Sequence, residues 1–190
     1  KDAYVSKGLK VVSNKTSGVQ TSTYELVSGP NLTPNHRYKE QVIKLENASG
    51  QPLHLTFRAY DEGLAFRYVF PNADNEMQTI ISEQTTFAVE EGKAWGHPYD
   101  TITKWNPAYE TYYSGPMEPG TPAPRNKNGW AFPMLFETNG HWLLISESGF
   151  DGTYGGSHLR VSDEKSYKVV LAEEEEAYGL HSAKQSSTLP

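Results

Sequence analysis

The feature that most constrains the fold is a pair of short alternating segments, LHLTFRAY and LAFRYVF, joined across Asp61-Glu62-Gly63. Alternation with period two sends successive side chains to opposite faces, the mark of a half-buried strand and not of a helix. The same period recurs along the chain. YKEQVIKLEN reads as a strand with Val42 and Ile43 near its centre, closed by the turn NASGQP, and TIISEQTTFAV reads as another, closed by EEGK. PMLFET, NGHWLLISES, GSHLRVSD and SYKVVLAEE supply further strands. Short strands punctuated by Gly, Pro, Asn and Asp specify an all-β, antiparallel chain. At 190 residues the expectation is a single domain spanning 1–190. AEEEEAYGL alone tolerates helix, and its glutamates read as a solvated face or edge.

A register argument follows for the hairpin. With Glu62-Gly63 as a two-residue loop and Gly63 at positive φ, Phe57 faces Tyr68, Leu55 faces Phe70 and Ala59 faces Phe66. That face is apolar and is expected to be core. The other face sets Arg58 opposite Arg67, and directly opposed like charges are destabilising. An acidic group is therefore expected with them: Glu83 on the next strand, Asp61, or a carboxylate from outside the chain. The arginines form either a structural ladder on the sheet or a support for an acidic site.

Between Trp95 and Trp130 lies a long connection holding six of the 12 prolines. Loops of this length within a domain are functional or disordered, and the prolines and aromatics favour an ordered surface flap. Its Trp105, Tyr109 and Glu110 are candidates for contact with a ligand or a neighbouring domain.

Composition narrows the function. A net charge of −6 and a pI near 5.5 speak against nucleic acid and anionic membranes as partners, since no cationic excess exists to neutralise phosphates. No apolar run reaches the ~20 residues of a membrane span. The absence of cysteine removes disulfides, thiolate metal sites and thiol nucleophiles. The histidines (His36, His54, His97, His141, His158, His181) form no HxH or HExxH pair, so zinc is not indicated and they read as structural or surface residues. No GxSxG, P-loop or dinucleotide fingerprint is present.

Glu147 stands where the apolar run Trp142–Ile145 meets a glycine-rich turn. Strand alternation puts it on the face of His141, Leu143 and Ile145. A carboxylate there either caps local N–H groups at the strand end or is held out as a ligand. Asp151 nearby offers a second oxygen, and ligation by oxygen alone points to a hard cation, calcium before magnesium if the site is built from several chain segments.

Several of these motifs, in order, resemble one family. LTFRAYDEGLAFRYVFP, ISEQTTF and WAFPMLFETNGHWLLISESGFDGTYGGSHL are similar to the N-terminal domain of glycoside hydrolase family 97, over most of the chain from Tyr38 onward. The resemblance implies an antiparallel β-supersandwich of galactose-mutarotase-like fold. It also implies a parent protein whose separate (β/α)8 barrel carries the catalytic carboxylates. Members are exported α-glucosidases or α-galactosidases, common in Bacteroidetes, with calcium in the active site. One glutamate from the N-terminal domain joins barrel glutamates around that ion, and Glu147 is the position that fits. The resemblance further implies that strands at both ends and the whole barrel lie outside this chain. On that reading the chain alone is inactive, the parent is periplasmic or secreted, its substrate is an α-linked oligosaccharide or α-glycoside, and exposed strand edges favour dimerisation. The alternative is a stand-alone carbohydrate-binding β-sandwich module without catalysis, in which exposed aromatics stack on sugar rings.

Overall fold

The computed structural model describes residues 7–71, 78–99, 112–124, 128–149, 156–162, 166–171 and 186–187. The chain divides into two compact units, Lys1–Glu76 with Leu189–Pro190, and Met77–Thr188. All regular structure among the described residues is strand, joined by antiparallel pairing, as the alternation required. No helix among them is long and apolar enough to cross a membrane.

The first unit holds β1 (Lys10–Thr23), β2 (Asn35–Glu46), β3 (Pro52–Tyr60) and β4 (Leu64–Val69) in one sheet, ordered β1-β2-β3-β4. The NASGQP turn between β2 and β3 forms as expected. Asn47 Oδ1 accepts the N–H groups of Ser49 and Gln51, both at 2.9 Å, so the side chain mimics a backbone turn.

The β3–β4 hairpin departs from the expected register by two residues. Tyr60 N–H donates to the Gly63 carbonyl at 2.8 Å, leaving Asp61-Glu62 as the loop, and Gly63 is not among the glycines at positive φ. Phe57 therefore faces Phe66 and Leu55 faces Tyr68, while Arg58 lies opposite Ala65 and Arg67 opposite Thr56. The opposed arginine pair does not arise. A shift of two keeps every side chain on its expected face, because the pleat repeats every two residues. The apolar face is as drawn, but it is not a buried core: Leu64 is 68% exposed, Phe66 and Tyr68 37% each.

In the second unit, β5 (Gln78–Thr79) and β6 (Thr86–Phe87) are two-residue strands. TIISEQTTFAV is thus not one strand. Between them Thr85 Oγ1 donates to Glu83 at 2.6 Å and Gln84 Nε2 to Ser82 at 3.2 Å, local bonds of the kind that compete with a ladder. Then come β7 (Lys93–Pro98), β8 (Ser114–Met117), β9 (Trp130–Thr138), β10 (His141–Ile145), β11 (Ser157–Val161), β12 (Tyr167–Leu171) and β13 (Ser186–Ser187). A seven-stranded sheet runs β6-β12-β11-β9-β7-β8, with β10 also on β9, and β13 pairs with β5. Asn139-Gly140, both at positive φ, make the two-residue turn joining β9 to β10.

One face of this sheet is core. Ala94, Trp130, Met134, Phe136, Ile145, Leu159, Tyr167 and Val169 are buried together with Val89. The connection before β9 closes over them: Trp130 Nε1 donates to the Thr121 carbonyl at 3.0 Å, and Gly120 N–H donates to the Tyr167 hydroxyl at 2.8 Å.

Candidate functional site

The site grows out of how β9 shares its edges. Along one edge β7 pairs from Glu137 to Trp130. The other edge is divided: β10 takes Met134 to Thr138, and β11 takes Trp130 and Ala131. Phe132 and Pro133 fall at the seam between these partners, and Pro133 has no N–H to leave unpaired. Two residues beyond Ile145, Glu147 reaches this seam. Its Oε2 accepts the backbone N–H of Ser157 at 3.0 Å and its Oε1 accepts the Ser157 hydroxyl at 2.7 Å.

The Glu147 carboxylate therefore stands in for a missing ladder acceptor at the start of β11. Ser157 is buried, at 8% exposed, and Glu147 is half-buried. Capping of a local N–H, one of the two readings open from the sequence, is present. It does not exhaust the group, because an ionised carboxylate offers about four lone-pair directions and Ser157 occupies two. The remaining lone pairs are those of an oriented anion, suited to a hard cation or a second donor. Among the described residues no three His, Asp or Glu side chains converge to hold a metal ion.

The other candidates separate. In the first unit, Arg58 Nε donates to Glu40 Oε2 at 2.8 Å across β2 and β3, and its guanidinium lies 4.6 Å from the centre of the Tyr38 ring. The hydrogen bond to Glu40 holds the Arg58 pKa above its ordinary value, against the effect of burial. The acidic partner is a cross-strand neighbour in β2 that sequence reasoning did not name. Glu83 instead accepts from Thr85. Trp105, Tyr109, Glu110 and Asp151 lie outside the described residues.

Two groupings carried no sequence signal strong enough to be read. His158 is fully buried and stacks on Tyr99, ring centres 4.1 Å apart and planes 10° apart. His97, also buried, meets Tyr113 edge-on at 5.9 Å. Both histidines are held by ring contacts in buried positions. The second grouping is Trp95 with Trp142, ring centres 5.4 Å apart on the sheet face opposite the core.

Together these features define an all-β antiparallel chain with one oriented carboxylate at a strand seam. The family model described as Glycosyl-hydrolase 97 N-terminal matches residues 2–185. The chain belongs to that family. It is also similar to a "Probable retaining alpha-galactosidase" of Streptomyces bingchenggensis, 27% identical over 161 residues that make up 83% of this chain. Those residues span 23% of the relative's own length, so the chain corresponds to about a quarter of it.

Proposed function

We propose that the chain is the accessory N-terminal domain of a calcium-dependent, exo-acting α-glycosidase, an α-glucosidase or α-galactosidase. It shapes one wall of the active site and donates Glu147 to the metal. Family membership supports the glycosidase parent, and the relative's name, "Probable retaining alpha-galactosidase", supports α-glycosides as the substrate class. The observation that carries the metal role is the pair of Ser157 donors on the half-buried Glu147 carboxylate. They fix its direction while leaving lone pairs over. When bound, calcium supplies a hard positive charge for substrate oxygens. Glu147 contributes one of its oxygen ligands, and Ser157 keeps that ligand aimed. The other ligands and both catalytic carboxylates belong to the parent's barrel, so this chain alone turns over no glycoside. The parent is periplasmic or secreted, and the isolated chain dimerises through exposed strand edges.

Calcium calorimetry on the parent and on this chain, with and without Glu147→Gln, tests the reading. Tight binding to the parent that the substitution weakens at least tenfold, beside weak binding to the chain alone, is expected. An unchanged affinity in the substituted parent refutes the ligand role. Turnover of a nitrophenyl α-glycoside by this chain alone refutes the accessory role.

A further inference from the structure

The face of the second unit's sheet opposite its core carries an aromatic platform. Register puts Trp142, Glu137 and Lys93 in one cross-strand row, and Leu144, Leu135 and Trp95 in the next. Trp142 and Trp95 stand on strands to either side of β9, yet their rings lean together to 5.4 Å with planes 39° apart. Trp142 is 63% exposed, Leu144 60% and Tyr113 50%.

This platform is built and not accidental. Trp95 is backed by β8, where Gly115 leaves the space its ring edge occupies: a Cβ on Gly115 would come within 2.6 Å of Trp95 Cδ1. Tyr113, just before that strand, is tied by its hydroxyl to the Pro133 carbonyl at 3.2 Å and meets the His97 ring. Beside Trp142, Lys93 Nζ and Glu137 Oε2 form a solvent-facing ion pair at 3.4 Å. A fixed pair of indoles next to an exposed donor and an exposed acceptor matches a ligand with an apolar face and a polar edge. A pyranose ring has that two-sided chemistry: its C–H face covers an aromatic ring while its hydroxyls bond a carboxylate and an ammonium. A partner protein's apolar surface would instead leave the Lys93–Glu137 pair desolvated without new partners.

We propose that Trp142 and Trp95, rimmed by Lys93 and Glu137, form a sugar-binding platform for a pyranose of an α-linked oligosaccharide. The choice of an α-linked sugar rests on the glycosidase reading above, whereas the platform itself does not depend on Glu147 or calcium.

The test titrates this full chain, in EDTA, with maltotriose and with melibiose, reading tryptophan fluorescence and the indole N–H signals by NMR. Saturable binding of either sugar in the millimolar range is expected, with the indole signals of Trp95 and Trp142 shifting. Trp142→Ala should weaken it about tenfold or more and Trp142→Phe less, the circular dichroism staying that of the native chain. Lys93→Met, which leaves the rings in place, should weaken it severalfold. No saturable binding of either sugar, or binding that survives Trp142→Ala unchanged, overturns the proposal. So does a concentration-dependent dimer in sedimentation that Trp142→Ala abolishes, which would give the face to a second copy. Working in EDTA on this chain alone keeps these outcomes apart from the calcium calorimetry of the parent.

Discussion

Replacing Glu147 by alanine isolates its hold on Ser157 from the metal role proposed for it. The substitution removes both acceptors of Ser157 at once, at 3.0 and 2.7 Å. The hydroxyl can rotate to another partner; the backbone N–H, in a residue only 8% exposed and at a seam with no ladder acceptor, cannot. Leaving such a donor unsatisfied costs ~1–3 kcal/mol. The lost bonds are charge-assisted, which raises the figure, and the carboxylate is half-exposed, which lowers it, so about 2 kcal/mol is expected. A domain of this size loses ~2–4 °C in Tm per kcal/mol, giving a fall of about 4–8 °C. Melts followed by circular dichroism or calorimetry in EDTA read this without any contribution from calcium. Glu147→Gln keeps one acceptor oxygen and should lose about half as much. If Glu147→Ala melts within about a degree of the native chain, the carboxylate does not hold the seam, and the geometric basis for a pre-aimed ligand goes with it.

Tyr167→Phe removes the hydroxyl that accepts from Gly120 N–H, and denaturant unfolding should show a loss of ~1–2 kcal/mol. Burial raises the Tyr167 pKa above its ordinary 10.0, with the Gly120 hydrogen bond opposing the shift. The unfolded chain therefore ionises first: the contribution is whole below pH 10.0 and disappears as pH rises through the folded value. Tyr167→Phe should flatten that alkaline limb of a stability-against-pH curve. Gly115→Ala, at φ 135° and with its new Cβ 2.7 Å from the Ala94 carbonyl, should destabilise by ~1–3 kcal/mol and alter Trp95 fluorescence. Glu40→Gln breaks an ion pair whose Arg58 side chain is 37% exposed, so a double-mutant cycle should give under ~1 kcal/mol, smaller still at high salt.

How much the sequence tells depends on what sets each strand. β3, β4, β9 and β10 bury or pair alternating side chains, so their period is written in the residues. β1 was not legible. KVVSNKTSGVQTST is polar, lies almost wholly exposed and is interrupted at two places in its register with β2. What makes it a strand is pairing, reinforced by β-branched residues, and pairing is not a local property. The hairpin register shows the opposite error. Gly63 looked like the residue that needs positive φ, but Asp61-Glu62 close the loop without it. The faces survived because a two-residue slip is invisible to a period of two, whereas the opposed arginines did not. The stronger signal, Asn139-Gly140, was present at the β9–β10 turn and fixes both Trp142 and the run into Glu147.

The two site features differ in legibility for a physical reason. Glu147 is conspicuous in sequence because a carboxylate that continues an apolar face must be satisfied, and the seam supplies Ser157 as its donor. Trp142 breaks no local rule. An aromatic on an edge strand is ordinary, and only the lean of Trp95 across β9, permitted by Gly115, turns two unremarkable residues 47 positions apart into one surface. A carboxylate's need for partners is a property of the residue, so it can be read before folding. A platform is a property of a register, and it exists only once β7, β9 and β10 are aligned. If the ring pair were incidental packing, relaxing Gly115 or truncating Trp142 would change stability alone. A loss of sugar binding at Trp142 with the fold intact is the outcome that packing cannot produce.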